Sequence, residues 1–314
     1  FNKSDKVTYS PGFATRFKPT PLLAKMADDA GVDGEAVTKH FPPQLPKQVI
    51  EVRARSQNNR GHKIKGRKLK FTQTDKSKAM TAELRELNQF LVSFDLDGAG
   101  FSGFRRLFHE GDVKGFDFQW GGRIYGVGDY NYQNMKKSDR PNLRLDSEPI
   151  VEIDVNASYL SILHGISGYP LPERDDLYDI GGIDRNIIKA WVSSTIGHHC
   201  FHTRWPKNAI QEMRDAGIEK PKEMTMKSLQ PTVLDYFPML ADWPSGRVTW
   251  ADLMFIESEI IIGTMLELMR SYSVPCFSIH DSILVKKKDQ QIAMETLESQ
   301  FLGRTTIEPR LKVN

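Results

Sequence analysis

Two runs of β-branched and aliphatic residues are each interrupted by an aspartate. They are Ile153-Asp154-Val155-Asn156-Ala157-Ser158-Tyr159-Leu160 and Ser278-Ile279-His280-Asp281-Ser282-Ile283-Leu284-Val285, with Asp154 placed 127 residues ahead of Asp281. Such runs are built to be strands with a buried face. A lone buried carboxylate costs several kcal/mol, so it neutralises, pairs or binds a metal. If the fold sets the two strands side by side, Asp154 and Asp281 make a site for hard divalent cations. Mg²⁺ in particular is held by one or two carboxylates plus substrate phosphates. That arrangement suits nucleotidyl transfer.

The 314 residues are enough for a sizeable core and two or three subdomains. With 39% hydrophobic and 26% charged residues the chain reads as soluble and globular. No apolar run approaches the ~20 residues a membrane span requires. Cys200 and Cys276 are the only cysteines, which excludes a disulfide framework and fits a reducing cytoplasm. The chain opens on Phe1, as a piece of a longer protein would, and no signal peptide is legible.

Net charge is only +3, but residues 1–80 carry 17 Lys or Arg against 7 Asp or Glu. Much of the excess lies between Arg53 and Lys78, and includes Lys63, Lys65, Arg67, Lys68 and Lys70. A block of this kind suits phosphate-backbone contacts, which carry most non-specific nucleic-acid affinity. The alternative is a solvated or disordered basic linker.

Residues 1–50 hold six prolines and one short helical candidate, Pro21 to Ala30, and read as an extended arm. Leu84, Leu87, Phe90 and Leu91 share a face of a helix expected from Thr81 to Phe94. Gly98 to Gly103 is a turn, Phe104 to His109 a short element, and Phe116 to Asp129 a twisted hairpin. Ile150 to Val155 is a strand leading into a helix from Ala157 to Gly165. Asp184 caps a helix from Arg185 to about His199. Helices follow over Asn208 to Asp215, over Lys222 to Leu240 with breaks at Pro231 and Pro238, and over Thr249 to Tyr272. Val274 to Lys286 is a hairpin with Asp281 near its tip, and Gln290 to Phe301 an amphipathic helix. Strands and helices mix without regular βαβ alternation, so the expected class is α+β.

On the helix after Asp184, Arg185 and Lys189 lie at i and i+4. Beside a metal site they would grip a triphosphate and neutralise charge on a leaving pyrophosphate. Ser193 and Gly197 continue that face with small residues that let a base or sugar approach.

In chain order these segments resemble motifs A, B and C of family A DNA polymerases and the related single-subunit RNA polymerases. Asp154 stands for the motif A ligand, Arg185 and Lys189 for the motif B pair, and His280-Asp281-Ser282 for motif C. Gly121-Gly122-Arg123-Ile124-Tyr125-Gly126 is similar to the Gly-Arg-x-Tyr element that contacts the template duplex. Closest in pattern are small exonuclease-less family A-like polymerases of phages and mobile elements, and the likeness spans about residues 104–301. Two departures stand out. Ile196-Gly197 occupies the place of the motif B tyrosine-glycine pair, leaving the base-stacking tyrosine absent. Asp154-x4-Tyr159-x-Ser161-Ile162 also looks like motif A of family B, but no Asp-Thr-Asp accompanies it, and His280-Asp281 decides for family A.

The resemblance implies a right-hand polymerase with an antiparallel-sheet palm, helical fingers and a reduced or divergent thumb. Its parts would be a basic arm at 1–80, a thumb-like, template-contacting region at 81–149, palm at 150–183, fingers at 184–248 and palm at 249–314. Two Mg²⁺ ions, replaceable by Mn²⁺, would be held by Asp154, Asp281 and the Val155 backbone. Arg185, Lys189, Tyr159 and Ser193 would bind the dNTP, with Tyr159 screening the sugar. Template-primer DNA would be held by Arg123, Tyr125, His280 and the basic block, with an accessory single-strand-binding or processivity protein as a further partner. The expected setting is the cytoplasm of a bacterium or phage host, with no membrane and no proofreading exonuclease. Rival readings are a primase or RNA polymerase initiating de novo, a two-metal nuclease, and a non-catalytic nucleic-acid-binding subunit. Tyr159 as a core aromatic, Arg123 as turn chemistry, and Glu257 at a solvated position are the plain readings of those residues. His198 and His202 fall at i and i+4, but no Cys-x2-Cys partner exists for zinc, and they are expected to extend the finger helix toward nucleic acid.

Overall fold

Strict alternation makes Glu148–Val155 a strand (β9) with two different faces. Val151, Ile153 and Val155 are buried while Glu152 and Asp154 stay half-open, so three aliphatic side chains worth ~1.5–3 kcal/mol each on burial fix which face meets the core. The computed structural model of the chain describes residues 20–32, 44–59, 62–128, 131–198, 200–218, 223–243 and 246–314. β9 is the centre of a six-stranded antiparallel sheet ordered β10-β11-β9-β8-β5, with β12 also pairing β9. Its other strands are β5 Leu96–Asp97, β8 Arg144–Leu145, β10 Phe277–Ile279, β11 Ser282–Lys286 and β12 Leu311–Val313.

A second sheet runs β4-β1-β6-β7, built from Ile50–Arg53 (β1), Lys68–Leu69 (β4), Phe104–Phe108 (β6) and Gly121–Gly126 (β7). β1 and β6 pair in parallel and the other neighbours antiparallel. Gln57–Asn59 (β2) and His62–Ile64 (β3) form a small hairpin of their own. The class is therefore mixed α+β, as the sequence predicts. Residues 50–69, within the basic arm expected at 1–80, supply strands whose Ile50 and Val52 are buried. The remaining arm residues 1–19 and 33–43 lie outside the described residues.

The helices are α1 Pro21–Asp29, α2 Asp75–Leu91, α3 Ser158–Ile166, α4 Arg185–Ile196, α5 Lys207–Asp215, α6 Met226–Tyr236, α7 Trp250–Tyr272 and α8 Gln290–Thr305. α7 is the spine. Its 23 residues run ~35 Å and pack against α2, α3, α8 and β7, which explains apolar residues all round it. It starts where the Thr249 amide donates to Asp252 (2.8 Å) and ends at Ser273, whose left-handed φ of +55° lets Val274 N–H reach the Leu268 carbonyl. No helix among the described residues is long and apolar enough to cross a membrane.

Four expectations are corrected. α2 begins at Asp75 rather than Thr81, because Thr74 and Ser77 form a reciprocal cap that starts the helix early. β7 does not fold back within 116–129; its partner is β6, reached over the 109–120 loop. Pro231 lies inside α6 without ending it, the sixth residue of a helix that continues to Tyr236. α8 continues to Thr305, four residues past the expected end.

Gly121 and Gly122 both have positive φ, +85° and +84°, where β7 bulges against β6. A Cβ on Gly122 would sit 3.0 Å from Ser258 Oγ and 3.1 Å from Arg106 Nη2, so this glycine lets β7 lie directly under α7. Arg106 is buried beneath it, donating to the Gly122 carbonyl (2.8 Å) and paired with Glu259. Gly122→Ala should therefore cost about 2–5 kcal/mol in a urea unfolding titration, backbone strain and overpacking together. Gly128→Ala, also at positive φ but facing open space, should cost only about 1–2 kcal/mol. Equal losses at the two positions would remove the close approach to α7 as the reason for Gly122.

Candidate active-site cleft

β11 pairs with β9 in the register that sets Ser282 opposite Asp154, so Asp281 stands one step past Asp154 at the turn. The Val155 amide donates to the Asp281 carbonyl (3.3 Å), which ties the turn to the strand beside it. β10 and β11 are joined by only His280 and Asp281, and the tightness of that connection puts His280 at φ +57°. A non-glycine residue there carries strain of ~1–2 kcal/mol, of the kind kept where a neighbouring side chain must be aimed. Asp154 and Asp281 both open onto one cleft of about 720 Å³. Burial, then the Asp281 charge, lifts the Asp154 carboxyl from its usual 3.8 to about 6.

The opposite wall is α4. The Asp184 side chain accepts from the Asn186 amide (2.7 Å), and the helix then buries Ile187, Ile188, Trp191 and Val192, turning Arg185, Lys189, Ser193 and Gly197 to the cleft. Lys189 is exposed and has no salt bridge among the described residues. Arg185 is paired with Asp176 and lies 5.8 Å over the Tyr178 ring.

The floor carries Tyr159, Arg123 and Glu257. Tyr159 is half-buried, with the Arg123 guanidinium 5.4 Å over its ring. Arg123 Nε donates to Glu257 Oε1 (2.7 Å) and Ser158 Oγ to Glu257 Oε2 (2.9 Å). Glu257 is 2% exposed, which corrects the expected solvated position. Burial raises its carboxyl to about 7 against the pull of Arg123, and Asp281 adds to the rise. Burial disfavours the Arg123 cation, but Glu257 outweighs it and raises its pKa. Tyr125 lies further along the same face of β7, its ring 6.0 Å from that of His280.

Sequence reasoning thus named residues that the fold brings together: Asp154, Val155, Tyr159, Arg185, Lys189, Ser193, Asp281 and Arg123 all line the cleft. The basic block does not. Lys65, Arg67, Lys68 and Lys70 are exposed elsewhere, and the Lys63 side chain lies outside the described residues. His198 and His202 do not extend α4 either. The helix ends at Ile196, His198 Nδ1 turns back to the Ser194 carbonyl (2.7 Å), and the two rings meet edge to face at 4.4 Å. Lys137, Lys312, Tyr178 and Trp250 line the cleft unannounced by spacing. Lys312 is there because β12 sets it opposite Asp154. Glu257 did carry a signal, a carboxylate inside the apolar run Phe255-Ile256-Glu257.

Among the described residues no group of three or more His, Cys, Asp or Glu could hold a metal by itself. Asp154 and Asp281 offer hard oxygen donors without a salt bridge among the described residues, and the raised Asp154 pKa marks negative charge in need of a cation. This set fits a divalent ion that completes its shell with substrate phosphates and water.

No family model and no curated protein matches the chain. Among solved structures it is similar to the POL domain of Pol1 from M. smegmatis in complex with DNA primer-template and dNTP. The TM-score is 0.40 at 12% identity, over 62% of this chain and 45% of that one. The chain therefore spans less than half of that structure's length, and so slight a likeness defines neither fold nor function.

The Asp154 shift has a definite sign. Its folded-state pKa exceeds the unfolded value, so ionisation penalises folding: the penalty is absent below about 3.8, grows through the interval and is complete above about 6. Asp154→Asn should stabilise the metal-free protein by about 1–3 kcal/mol at pH 8 and by no more than about 0.5 kcal/mol at pH 4. Thermal melts in EDTA across that range check it, and an equal effect at both pH values would contradict it.

Proposed function

We propose that the chain is a template-directed DNA polymerase that adds dNTPs to a primer 3′-hydroxyl. One observation carries this reading. Two carboxylates on neighbouring strands face, across a single cleft, a helix presenting Arg185 and Lys189 one turn apart. A nuclease would use the carboxylates on one phosphodiester but has no triphosphate to spread over two cations a turn apart; a binding subunit would have no use for a carboxylate whose charge the fold disfavours.

In this reading the primer 3′-oxygen attacks the α-phosphorus of the dNTP and pyrophosphate leaves. Asp154 and Asp281, with the Val155 carbonyl, would hold Mg²⁺ or Mn²⁺. Bound there, the two cations would favour loss of the hydroxyl proton and stabilise the leaving oxygen. Lys189 would meet the triphosphate directly, and Arg185 would do so while Asp176 fixes its orientation. Ser193 would border the base or sugar. Tyr159, held by Arg123 and the core beneath, would meet a ribose 2′-hydroxyl and exclude it. His280, Tyr125 and Arg123 would adjoin the primer–template duplex. The basic strands at 64–70 would hold DNA beyond the cleft.

Primer extension tests the reading. With Mg²⁺ and dNTPs the wild type should extend a labelled primer as the template dictates. Asp154→Ala and Asp281→Ala should each lower the rate on the order of 10³-fold or more. Shortening of the primer would identify a nuclease, and products without a primer a primase. Tyr159→Ala should admit ribonucleotides, about tenfold or more in the rNTP/dNTP ratio of kcat/KM, corresponding to ~1.4 kcal/mol. An unchanged ratio would take Tyr159 out of sugar discrimination.

A further inference from the structure

A second groove, of about 770 Å³, lies away from the cleft between the residues entering β1, strand β4 with the segment after it, and α2. Four cations line it, Lys47, Lys68, Lys70 and Arg85, together with the Phe71 ring and the Gln73 amide, and no Asp or Glu is among its lining residues. Lys68 is held by Glu51 at 3.2 Å. Lys47, Lys70 and Arg85 are exposed and form no salt bridge among the described residues. The Arg85 guanidinium donates to the Lys47 carbonyl (3.1 Å), which holds these two cationic residues together at one end of the groove. Three uncompensated positive charges around one concavity repel each other and focus a field that an anion relieves.

Sheet order gives the groove a direction. β4 and β7 are the two edges of β4-β1-β6-β7, and β7 carries Arg123 into the cleft. Three strand spacings, ~15 Å, separate them. The outward face between carries Arg105, exposed opposite Tyr125, beside a shallow depression of about 250 Å³ that Arg53 and its ion-pair partner Glu51 also line.

We infer that this groove binds a single strand of nucleic acid, which runs across the sheet to or from the cleft. Cations placed for phosphates, a ring for base faces and amides for base edges are what a single-strand site combines. A duplex could meet the cations through its phosphates but would bring no base face to Phe71, whose ring packs edge-on against Phe118 and keeps its remaining surface in the groove. That the strand is template rests on the polymerase reading; that the groove binds a single strand does not.

The test is fluorescence anisotropy with labelled oligothymidylate over a range of NaCl concentrations. The triple variant Lys47→Glu/Lys70→Glu/Arg85→Glu should bind at least about tenfold more weakly, with a log–log salt slope shallower by about 2, three phosphate contacts being lost. Lys47→Gln/Lys70→Gln/Arg85→Gln should show the same slope change, and covers the case where charge reversal disturbs folding. Unchanged affinity and slope would overturn the proposal. So would an equal loss for blunt duplex, or displacement of the oligonucleotide by polyglutamate at equal charge. If wild type extends no primer but the triple variant still loses single-strand affinity, the groove stands and the polymerase reading falls. If wild type extends primers and the variant binds unchanged, the groove alone falls.

Discussion

The pairing of β11 with β9 in one register underlies everything at the site. Ser282 lies opposite Asp154, and the strand faces alternate, so Val151, Ile153 and Val155 go inward while Glu152 and Asp154 face out. A slip of one residue would bury the carboxylates and expose the aliphatic side chains, a loss of several kcal/mol. The hydrophobic effect thus fixes the position of Asp154, whose charge the fold disfavours, and with it the place of Asp281 at the adjoining turn. The raised Asp154 pKa and the left-handed His280 are the local costs of that arrangement.

α7 transmits the arrangement to the rest of the cleft. Three consecutive residues tie it to the second sheet: Glu257 takes Arg123, Ser258 lies against the Gly121 carbonyl at 3.3 Å, and Glu259 pairs with Arg106. Ser158, the first residue of α3, reaches the same Glu257. Glu257 therefore joins β7, α3 and α7 beneath Tyr159. A carboxylate so deeply buried stabilises little on balance. Its use is geometric, holding Arg123 over the tyrosine ring.

Much of this was legible in the sequence. The β-branched and aliphatic runs at 150–155 and 278–285, the Asp184 cap and the i, i+4 spacing of Arg185 and Lys189 are local signals, and they led to the observed strands and helix. In Phe104-Arg105-Arg106-Leu107-Phe108 strand alternation puts Arg106 on the buried face, and only its buried acceptors make that tolerable. The partner of β7 was not legible, because it lies across a loop that carries no short turn signal. The burial of Glu257 had only the apolar residues before it as a signal, since a helix surrounded on all sides shows no polar face to measure against. The ion-pair partner of Arg185 was not legible either, because Asp176 comes from a loop whose path no periodicity encodes. Tyr178 and Trp250 are aromatics in the cleft placed by tertiary contacts rather than spacing.

The central claim is that Asp154 and Asp281 form one divalent-cation centre. Titration with Mn²⁺ followed by electron paramagnetic resonance measures that centre without requiring turnover. Wild type should bind Mn²⁺ in competition with Mg²⁺, and Asp154→Asn and Asp281→Asn should each weaken that binding by at least about tenfold. Mn²⁺ affinity unchanged in both variants would contradict the account.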